Sequence, residues 1–262
     1  MNILSEIIAS KRIQLEAAKR AVSLEQLRAT ALDTRVDAKA HALRDALRGN
    51  AINIIAEFKR RSPSKGTIRE NADAATIAHS YESAGAVAIS VLTEENYFAG
   101  SLDDLRAVRE VVSIPILRKD FVFDEYQVYE SAAAGADALL LIVAALDDET
   151  LVRLLRLTED ELGMDALVEV HTEEEMKRAV AHAAKLVGVN NRDLRTFNVS
   201  TETSAQLAQF APAGTVLVSE SGLTPDKVRK LQAVGYKGFL VGESLMRAAD
   251  PEQQLRAFRG AD

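Results

Sequence analysis

The pattern of apolar and polar positions changes near residue 50. Before it, apolar residues recur at roughly helical spacing among Lys, Arg and Glu, as at Ile7, Leu15 and Leu24, with no strand-like run between them. This pattern predicts two or three amphipathic helices that cover one end of the remaining chain. We therefore expect an N-terminal helical extension at residues 1–48 and a main unit at residues 49–262, together forming one domain.

The main unit alternates short β-rich runs with helical stretches. The strand candidates are residues 52–58, 87–92, 114–117, 138–143, 166–170, 186–189, 216–218 and 238–241. At three helix ends a glycine (Gly85, Gly135 and Gly235) precedes the next strand by about two residues, as in a left-handed helix stop. Strands alternating with helices imply parallel pairing, and eight such units fit a closed (β/α)8 TIM barrel of about 250 residues. An open doubly wound sheet would more often carry a GxGxxG loop after its first strand, and none is present.

Polar residues stand where the strands of such a barrel should end. The active site of a (β/α)8 barrel lies at the carboxyl ends of its strands, and side chains alternate between the two faces of a strand. This parity brings seven polar side chains to one mouth: Glu57, Lys59, Lys119, Glu169, Asn190, Arg192 and Glu220. They form either a ring of salt bridges that closes the barrel or a cleft where lysines and glutamates tune each other's pKa values for acid–base chemistry.

Two further loops favour an anionic ligand. Gly222 follows the seventh strand and Gly242 the eighth, the positions where barrels often bind phosphate on backbone amides. Thr224 and Pro225 are typical of a helix N-cap and first helical residue. The loop at residues 59–66 carries four basic residues. They are either exposed charges in contact with water or charges that attract an anionic substrate to the mouth. The length and the Ser and Gly residues of this loop are also compatible with a lid over the site.

Composition removes several classes of function. The 262 residues include 32 basic and 39 acidic ones, a net charge of −7 that argues against a nucleic-acid surface. No cysteine is present, so thiolate metal sites and disulfides are excluded, and four histidines without HExxH do not predict zinc. The longest apolar run, residues 138–146, is shorter than the roughly 20 residues of a membrane span. We expect a cytoplasmic protein with no metal, cofactor, nucleic-acid or membrane partner.

Six motifs, in order, resemble those of the indole-3-glycerol phosphate synthase family. They occupy residues 55–66, 117–121, 168–171, 189–194, 219–222 and 241–246. The resemblance covers essentially the whole chain and includes the helical leader. The visible departures are small: Asn191 stands where Ser or Pro is frequent, and Glu243 where Ser also occurs. Neither residue replaces a predicted catalytic group.

The resemblance implies a carboxy-lyase of tryptophan biosynthesis, EC 4.1.1.48. Its substrate would be 1-(2-carboxyphenylamino)-1-deoxyribulose 5-phosphate, converted without cofactor to indole-3-glycerol phosphate, CO₂ and water. Ring attack on the ketone needs an acid at the carbonyl oxygen, for which Lys119 is our choice. Lys59 or Arg192 could neutralise the substrate carboxylate, and Glu169 suits the base that takes a proton from the ring NH. We expect a monomer or a weak homodimer.

The other predicted residues fall into three groups. Glu57 and Asn190 would orient the lysines and the substrate hydroxyls, and Glu220 joins the charged cluster. The phosphate would be bound by Ser62, Ser221, Gly222, Gly242 and the backbone NH of Glu243. The anthranilate ring would pack against Pro63, Phe121, Leu140 and Ile142, which are almost equally explained as ordinary core.

Two other functions remain open at this point. A phosphoribosyl-type isomerase on a related phosphate-binding barrel would be expected to use a pair of carboxylates or a Cys–Asp pair, whereas this chain has lysines and no cysteine. A barrel that binds a sugar phosphate without turnover, or serves as a scaffold, would be marked by loss of the acid. Lys59, Lys119 and Glu169 are all present. The sequence does not divide the acid and binding roles between Lys59 and Lys119.

Overall fold

Eight parallel strands close into a barrel, which confirms the predicted architecture. The computed structural model describes residues 3–49, 51–193 and 196–260. The strands are β1 Asn53–Phe58, β2 Ala88–Leu92, β3 Ile116–Lys119, β4 Ala138–Ile142, β5 Asp165–Val170, β6 Leu186–Asn190, β7 Val216–Glu220 and β8 Gly238–Val241. Each strand pairs with the next along the chain, and β1 pairs with β8. A short antiparallel hairpin, Arg61–Ser62 with Gly66–Thr67, lies in the loop after β1.

Helices surround this barrel. They are α1 Ile3–Ala21, α2 Leu24–Arg35, α3 Ala42–Ala46, α4 Ala74–Ser83, α5 Glu95–Phe98, α6 Leu102–Val111, α7 Glu125–Ala133, α8 Asp148–Arg156, α9 Glu173–Ala181, α10 Glu202–Leu207, α11 Pro225–Ala233, α12 Glu243–Arg247 and α13 Pro251–Arg259. Short 3₁₀ turns occupy Val143–Ala145 and Ala208–Phe210, and a π turn occupies Leu157–Glu161. Thr224 caps α11 with Pro225 in its first turn, as predicted. None of the helices in the described ranges is long and apolar enough to cross a membrane.

Two strands end two residues later than the sequence predicts. The third strand candidate, residues 114–117, is displaced because Pro115 has no N–H to donate to the ladder. Regular pairing begins at Ile116, whose N–H donates to the Asp137 carboxylate at 3.0 Å, and continues to Lys119. Likewise β7 continues beyond residue 218 to Glu220. The polar residues at these positions are therefore held by the sheet itself rather than by flexible loops.

The core has two layers, as strand parity requires. Inside the barrel lie Ile55, Leu117, Leu140 and Leu167 with other inward-facing residues. Phe58 and the other outward-facing residues pack between the strands and the helices, as predicted. The three glycines at the helix ends have the expected positive φ, between 89° and 106°. The alternation that buries every second apolar side chain also directs the polar side chains at the strand ends towards the mouth of the barrel.

The helical leader covers one end of the barrel and also contacts the other end, which the sequence did not predict. The first turns of α1 reach the carboxyl mouth, where Leu4 and Ile7 are buried. At the opposite end, Leu43 of α3 and Leu47 beyond it are fully buried in the interior cluster. The reason is that the closed barrel leaves apolar side chains uncovered at its amino end as well, and the three leader helices are long enough to reach both openings.

Candidate active site

The carboxyl ends of the strands and the loops after them surround a cavity of about 610 Å³. Every residue that the sequence predicts for catalysis or binding lines it. These are Glu57, Lys59, Ser62, Pro63, Lys119, Phe121, Leu140, Ile142, Glu169, Asn190, Arg192, Glu220, Ser221, Gly222, Gly242 and Glu243. Leu194, the last residue of one family-like motif, lies outside the described residues. Among the residues that are described, no group of three or more His, Asp and Glu could hold a metal ion.

Lys119 is the centre of a buried ion cluster in this cavity. Its Nζ lies 2.8 Å from Glu169 Oε2 and 3.0 Å from Glu220 Oε2. The side chains of Lys119, Glu169 and Glu220 are 11%, 3% and 2% exposed. One ammonium lies between two carboxylates and is shielded from water, so the pKa of each of the three groups depends strongly on the protonation state of the other two.

Burial and mutual attraction set these pKa values apart. Burial disfavours the Lys119 ammonium, but Glu169, Glu220 and Glu57 outweigh it, so the pKa of Lys119 lies above its ordinary value. Burial, assisted by repulsion from Glu169, raises the pKa of Glu220 to about 7 against the attraction of Lys119. At Glu169, burial is outweighed by Lys119 and His171, and the pKa lies below its ordinary value. The cluster therefore offers one proton donor, Lys119, beside one ionised acceptor, Glu169.

A second ion pair lies at the edge of the cavity. Lys59 Nζ donates to Glu57 Oε1, within the same strand end. Two glycines make room for the carboxylates: a Cβ at Gly242 would lie 2.2 Å from Glu57 Oε1, and one at Gly188 would lie 2.3 Å from Glu220 Oε1. Gly242 thus has a steric reason to be glycine besides the predicted approach to phosphate.

The turn after β7 follows Glu220 of the ion cluster directly and forms another part of the cavity wall. Ser221 and Gly222 both have left-handed backbone, with φ of 69° and 70°. Such a conformation is unusual for serine and requires support from the surroundings. Asn191 supplies it, because its Nδ2 donates to the carbonyl oxygens of Glu220 at 2.9 Å and Ser221 at 3.1 Å. Asn191 therefore helps to fix the turn predicted to bind phosphate.

Three cations were not among the individually predicted site residues, although one of them, Lys65, belongs to the basic loop at residues 59–66. Lys65, Lys227 and Arg247 all line the cavity. Arg247 Nε lies 3.2 Å from Glu243 Oε1, and Lys65 Nζ lies 4.0 Å from the same oxygen. Lys227 Nζ donates to the carbonyl oxygen of Gly222 at 3.1 Å. The i,i+4 spacing of Glu243 and Arg247 was a usable signal for one of them.

An apolar wall completes the cavity. Phe121, Leu140, Ile142 and Pro63 contribute to it as predicted, and Phe98 joins them with its ring centroid 6.2 Å from that of Phe121. Leu140 and Ile142 also belong to the interior cluster of the barrel, so for these two the ordinary-core explanation holds as well. A flat aromatic group would find apolar contacts on this side and charged groups on the other.

The leader helix α1 is fastened beside Lys119. The buried Lys11 Nζ donates to Asp120 Oδ2 at 2.7 Å, and the same oxygen accepts from Thr93 at 2.6 Å and Arg118 at 3.0 Å. Burial opposes ionisation of Asp120, but Lys11 and Arg118 hold its pKa well below the usual range. Because Asp120 follows Lys119 directly, the position of the buried ammonium depends in part on α1.

Replacing Lys11 with methionine should lower the free energy of unfolding by about 1–3 kcal/mol, because a charged hydrogen bond to a buried carboxylate is lost. Turnover should fall as well, since the end of β3 loses a support. The matched control is Lys19→Met on the same helix, whose partner Asp124 lies at 2.8 Å but in a pair that is 36% and 28% exposed. We expect that variant to change stability by less than about 1 kcal/mol. Equal denaturation midpoints for the two variants would contradict the assignment.

Solved structures share the fold at low sequence identity. A crystal structure of KGPDC from Streptococcus mutans has a TM-score of 0.62 and 16% identity, over 80% of this chain and 96% of that one. Thiamine phosphate pyrophosphorylase from Pyrococcus furiosus gives a TM-score of 0.61 at 15% identity, over 82% of this chain and 96% of that one. At such identity the similarity supports the barrel alone.

The similarity in sequence is much closer. The family model described as indole-3-glycerol phosphate synthase matches residues 4–258. The indole-3-glycerol phosphate synthase of Bacteroides thetaiotaomicron is 44% identical over 258 residues, which cover 98% of this chain and 97% of its own. That of a Nocardioides species is 48% identical over 263 residues, covering 100% of both chains. Indole-3-glycerol phosphate synthase is the carboxy-lyase EC 4.1.1.48 of tryptophan biosynthesis. As the resemblance of the motifs implied, the chain belongs to the indole-3-glycerol phosphate synthase family.

Proposed function

We propose that the chain carries out the ring closure of its family with Lys119 as the acid and Glu169 as the base. The substrate is taken to be 1-(2-carboxyphenylamino)-1-deoxyribulose 5-phosphate. The observation that carries this proposal is the buried ammonium of Lys119, 2.8 Å from Glu169, on the floor of a cavity with one apolar wall and one cationic rim. The ketone oxygen would receive the Lys119 proton as the aromatic ring attacks the carbonyl carbon.

The phosphate end and the aromatic end of the substrate would be bound by different groups of cavity residues. The phosphate would lie at the turn after β7 and the start of α12, bound by Ser62, Ser221, Gly222, Gly242 and the backbone NH of Glu243. Lys65, Lys227 and Arg247 would add positive charge there. Pro63, Phe98, Phe121, Leu140 and Ile142 would contact the aromatic ring. Lys59 or Arg192 would pair with the carboxylate until it leaves as CO₂, and Glu57 and Asn190 would orient the lysines and hydroxyls.

The short distance between Lys119 and Glu169 offers a simple way to restore their original protonation states after the reaction. After ring attack Lys119 would be a neutral amine. As water leaves, Glu169 would take up the hydrogen that the substrate loses, which comes overall from the methylene group beside the nitrogen because the indole product keeps its N–H, and Glu169 would then be a neutral acid. Their atoms are 2.8 Å apart, so one proton transfer along an existing hydrogen bond restores both groups. The hydroxyl that leaves as water needs a further proton, for which Lys59 offers a second ammonium at the strand ends.

The proposed activity should be visible directly. The protein has no tryptophan, so indole emission after addition of the substrate must come from product. We expect emission to rise with time and to scale with protein concentration. Absence of the signal from folded protein would contradict the proposed substrate. The cytoplasmic location and the monomeric or weakly dimeric state stay predictions from the sequence.

A further inference from the structure

His171 lies just beyond the end of β5, between two carboxylates. Its Nε2 is 3.5 Å from Glu169 Oε1, and its Nδ1 is 3.2 Å from Glu175 Oε2 on α9. The same Glu175 oxygen accepts a hydrogen bond from the His171 backbone N–H at 2.7 Å. The His171 side chain is only 10% exposed. Its ring is thus held in one orientation, with one nitrogen facing the proposed base.

The charged groups that face the ring, among the residues the structure describes, are acidic. Glu169 approaches from β5, Glu175 from α9 and Glu220 from the end of β7, while the Lys119 ammonium lies on the far side of Glu169. Burial alone would lower the pKa of His171. The hydrogen bond that the ring donates to Glu175 and the attraction of the three carboxylates outweigh burial, and the pKa of His171 lies above its ordinary value.

Glu169 is consequently placed between two cationic groups. Its Oε2 contacts Lys119 at 2.8 Å, and its Oε1 faces His171 at 3.5 Å. The His171 Nε2 is buried and makes no hydrogen bond among the described residues, so it is aimed at the carboxylate without competition from another acceptor. A distance of 3.5 Å is long for a hydrogen bond but within the range of an ion pair, which makes the contact chiefly electrostatic.

We propose that His171 is a positioning residue for the reaction: as an imidazolium it keeps Glu169 ionised and directed towards the substrate. The proposal rests on the role of Glu169 as the base. Lys119 alone is not sufficient for this task, because its charge is shared with Glu220 and is lost when it gives its proton to the ketone. At that moment His171 would be the remaining cation beside Glu169, so the base would stay able to accept a proton.

Two neutral variants separate charge from hydrogen bonding. His171→Asn keeps a donor near the Nδ1 position, towards Glu175, and His171→Gln keeps one near the Nε2 position, towards Glu169. Neither carries charge. In both, the acidic limb of the kcat/KM–pH profile should move to higher pH by about one unit, because the pKa of Glu169 rises when an adjacent cation is removed. Rates on the acid side of the limb should therefore fall about tenfold, with little change on its alkaline side.

The control is His182→Asn, and two further measurements, the activity of Glu169→Gln and ring NMR of the native protein, test the premises of the proposal. His182→Asn changes another histidine that faces a carboxylate, Asp148 at 3.5 Å, on the surface away from the cavity, and should leave the limb unmoved. Glu169→Gln should lose about 10²- to 10⁴-fold in kcat at every pH; if it keeps near-native activity, the base assignment itself is wrong. Suppose that Glu169→Gln loses its activity as expected. If both His171 variants then keep the acidic limb of the wild-type pH profile, the charge of His171 does not keep Glu169 ionised. The same conclusion follows if His171→Gln alone keeps that limb, because a neutral hydrogen-bond donor would then be sufficient. Ring NMR of the native protein should show the resonance lost in His171→Asn titrating above the ordinary pKa, and titration below that value would also overturn the proposal.

Discussion

Lys119→Met should lower kcat by about 10²- to 10⁴-fold, the range expected when a positioned acid is removed. Methionine has a similar length and no proton to donate. KM should change much less, since the phosphate turn and the apolar wall do not depend on the ammonium. The measurement is steady-state production of indole emission, which the protein cannot supply because it has no tryptophan.

Two further variants show why Lys119→Met should lose activity. Lys119→Arg keeps a cation between Glu169 and Glu220 but holds its proton too tightly to release it, so it should be nearly as inactive as the methionine variant. Lys59→Met removes an ammonium paired with Glu57. It should raise KM if Lys59 binds the substrate carboxylate, and it should lower kcat with release of CO₂ preserved if Lys59 protonates the leaving hydroxyl. The reverse result, a large kcat effect at Lys59 and a small one at Lys119, would exchange their roles.

The same substitution should make stability depend on pH in a defined direction. Without the ammonium, Glu169 and Glu220 are two buried carboxylates with no cation between them, and breaking such a pair costs about 3–5 kcal/mol. Even in the native protein the pKa of Glu220 is raised to about 7, so its folded form binds protons more tightly than the unfolded form. The variant should therefore be closest to native stability in mildly acidic buffer and lose stability as the pH rises towards and beyond 7.

The central part of the site could be predicted because strand parity is a strong rule. Charged residues at the end of otherwise apolar strands have few structural reasons, and parity assigns Glu57, Lys119 and Glu169 to one face without knowledge of the loops. The closed barrel then brings these strand ends together. The limits of the strands were less certain: Pro115 delays pairing in β3, and only the structure shows that Lys119 is still within the ladder.

What could not be predicted depends on contacts between distant segments. Lys11 and Asp120 are 109 residues apart, and no local pattern in α1 distinguishes a buried lysine from an exposed one such as Lys19. The cations Lys65 and Arg247 belong to loop and helix positions where a solvated charge is the usual expectation. His171 was part of a recognised motif, yet its role depends on the position of Glu175 across a helix start.

Glu169→Gln should also lower kcat by about 10²- to 10⁴-fold, while leaving the shape of the cavity almost unchanged. Glutamine has the same number of heavy atoms, and its amide oxygen can still accept a hydrogen bond from Lys119. Glu220, 3.0 Å from Lys119, remains as the anionic partner of the ammonium. Fold and substrate binding should therefore survive, so that KM stays near its native value and the loss is one of chemistry.

This variant can also show at which step the base acts. If Glu169 takes a proton only as water is lost, ring attack and decarboxylation precede its action. With substrate labelled in the carboxyl group, a single turnover of Glu169→Gln should then release labelled CO₂ without indole emission, whereas Lys119→Met should release neither. Loss of both signals in Glu169→Gln would mean that the carboxylate is needed earlier, as the partner that holds Lys119 in place for attack on the ketone. Because Lys119 and Glu169 share one hydrogen bond, only this separation of CO₂ from indole distinguishes a base from a support.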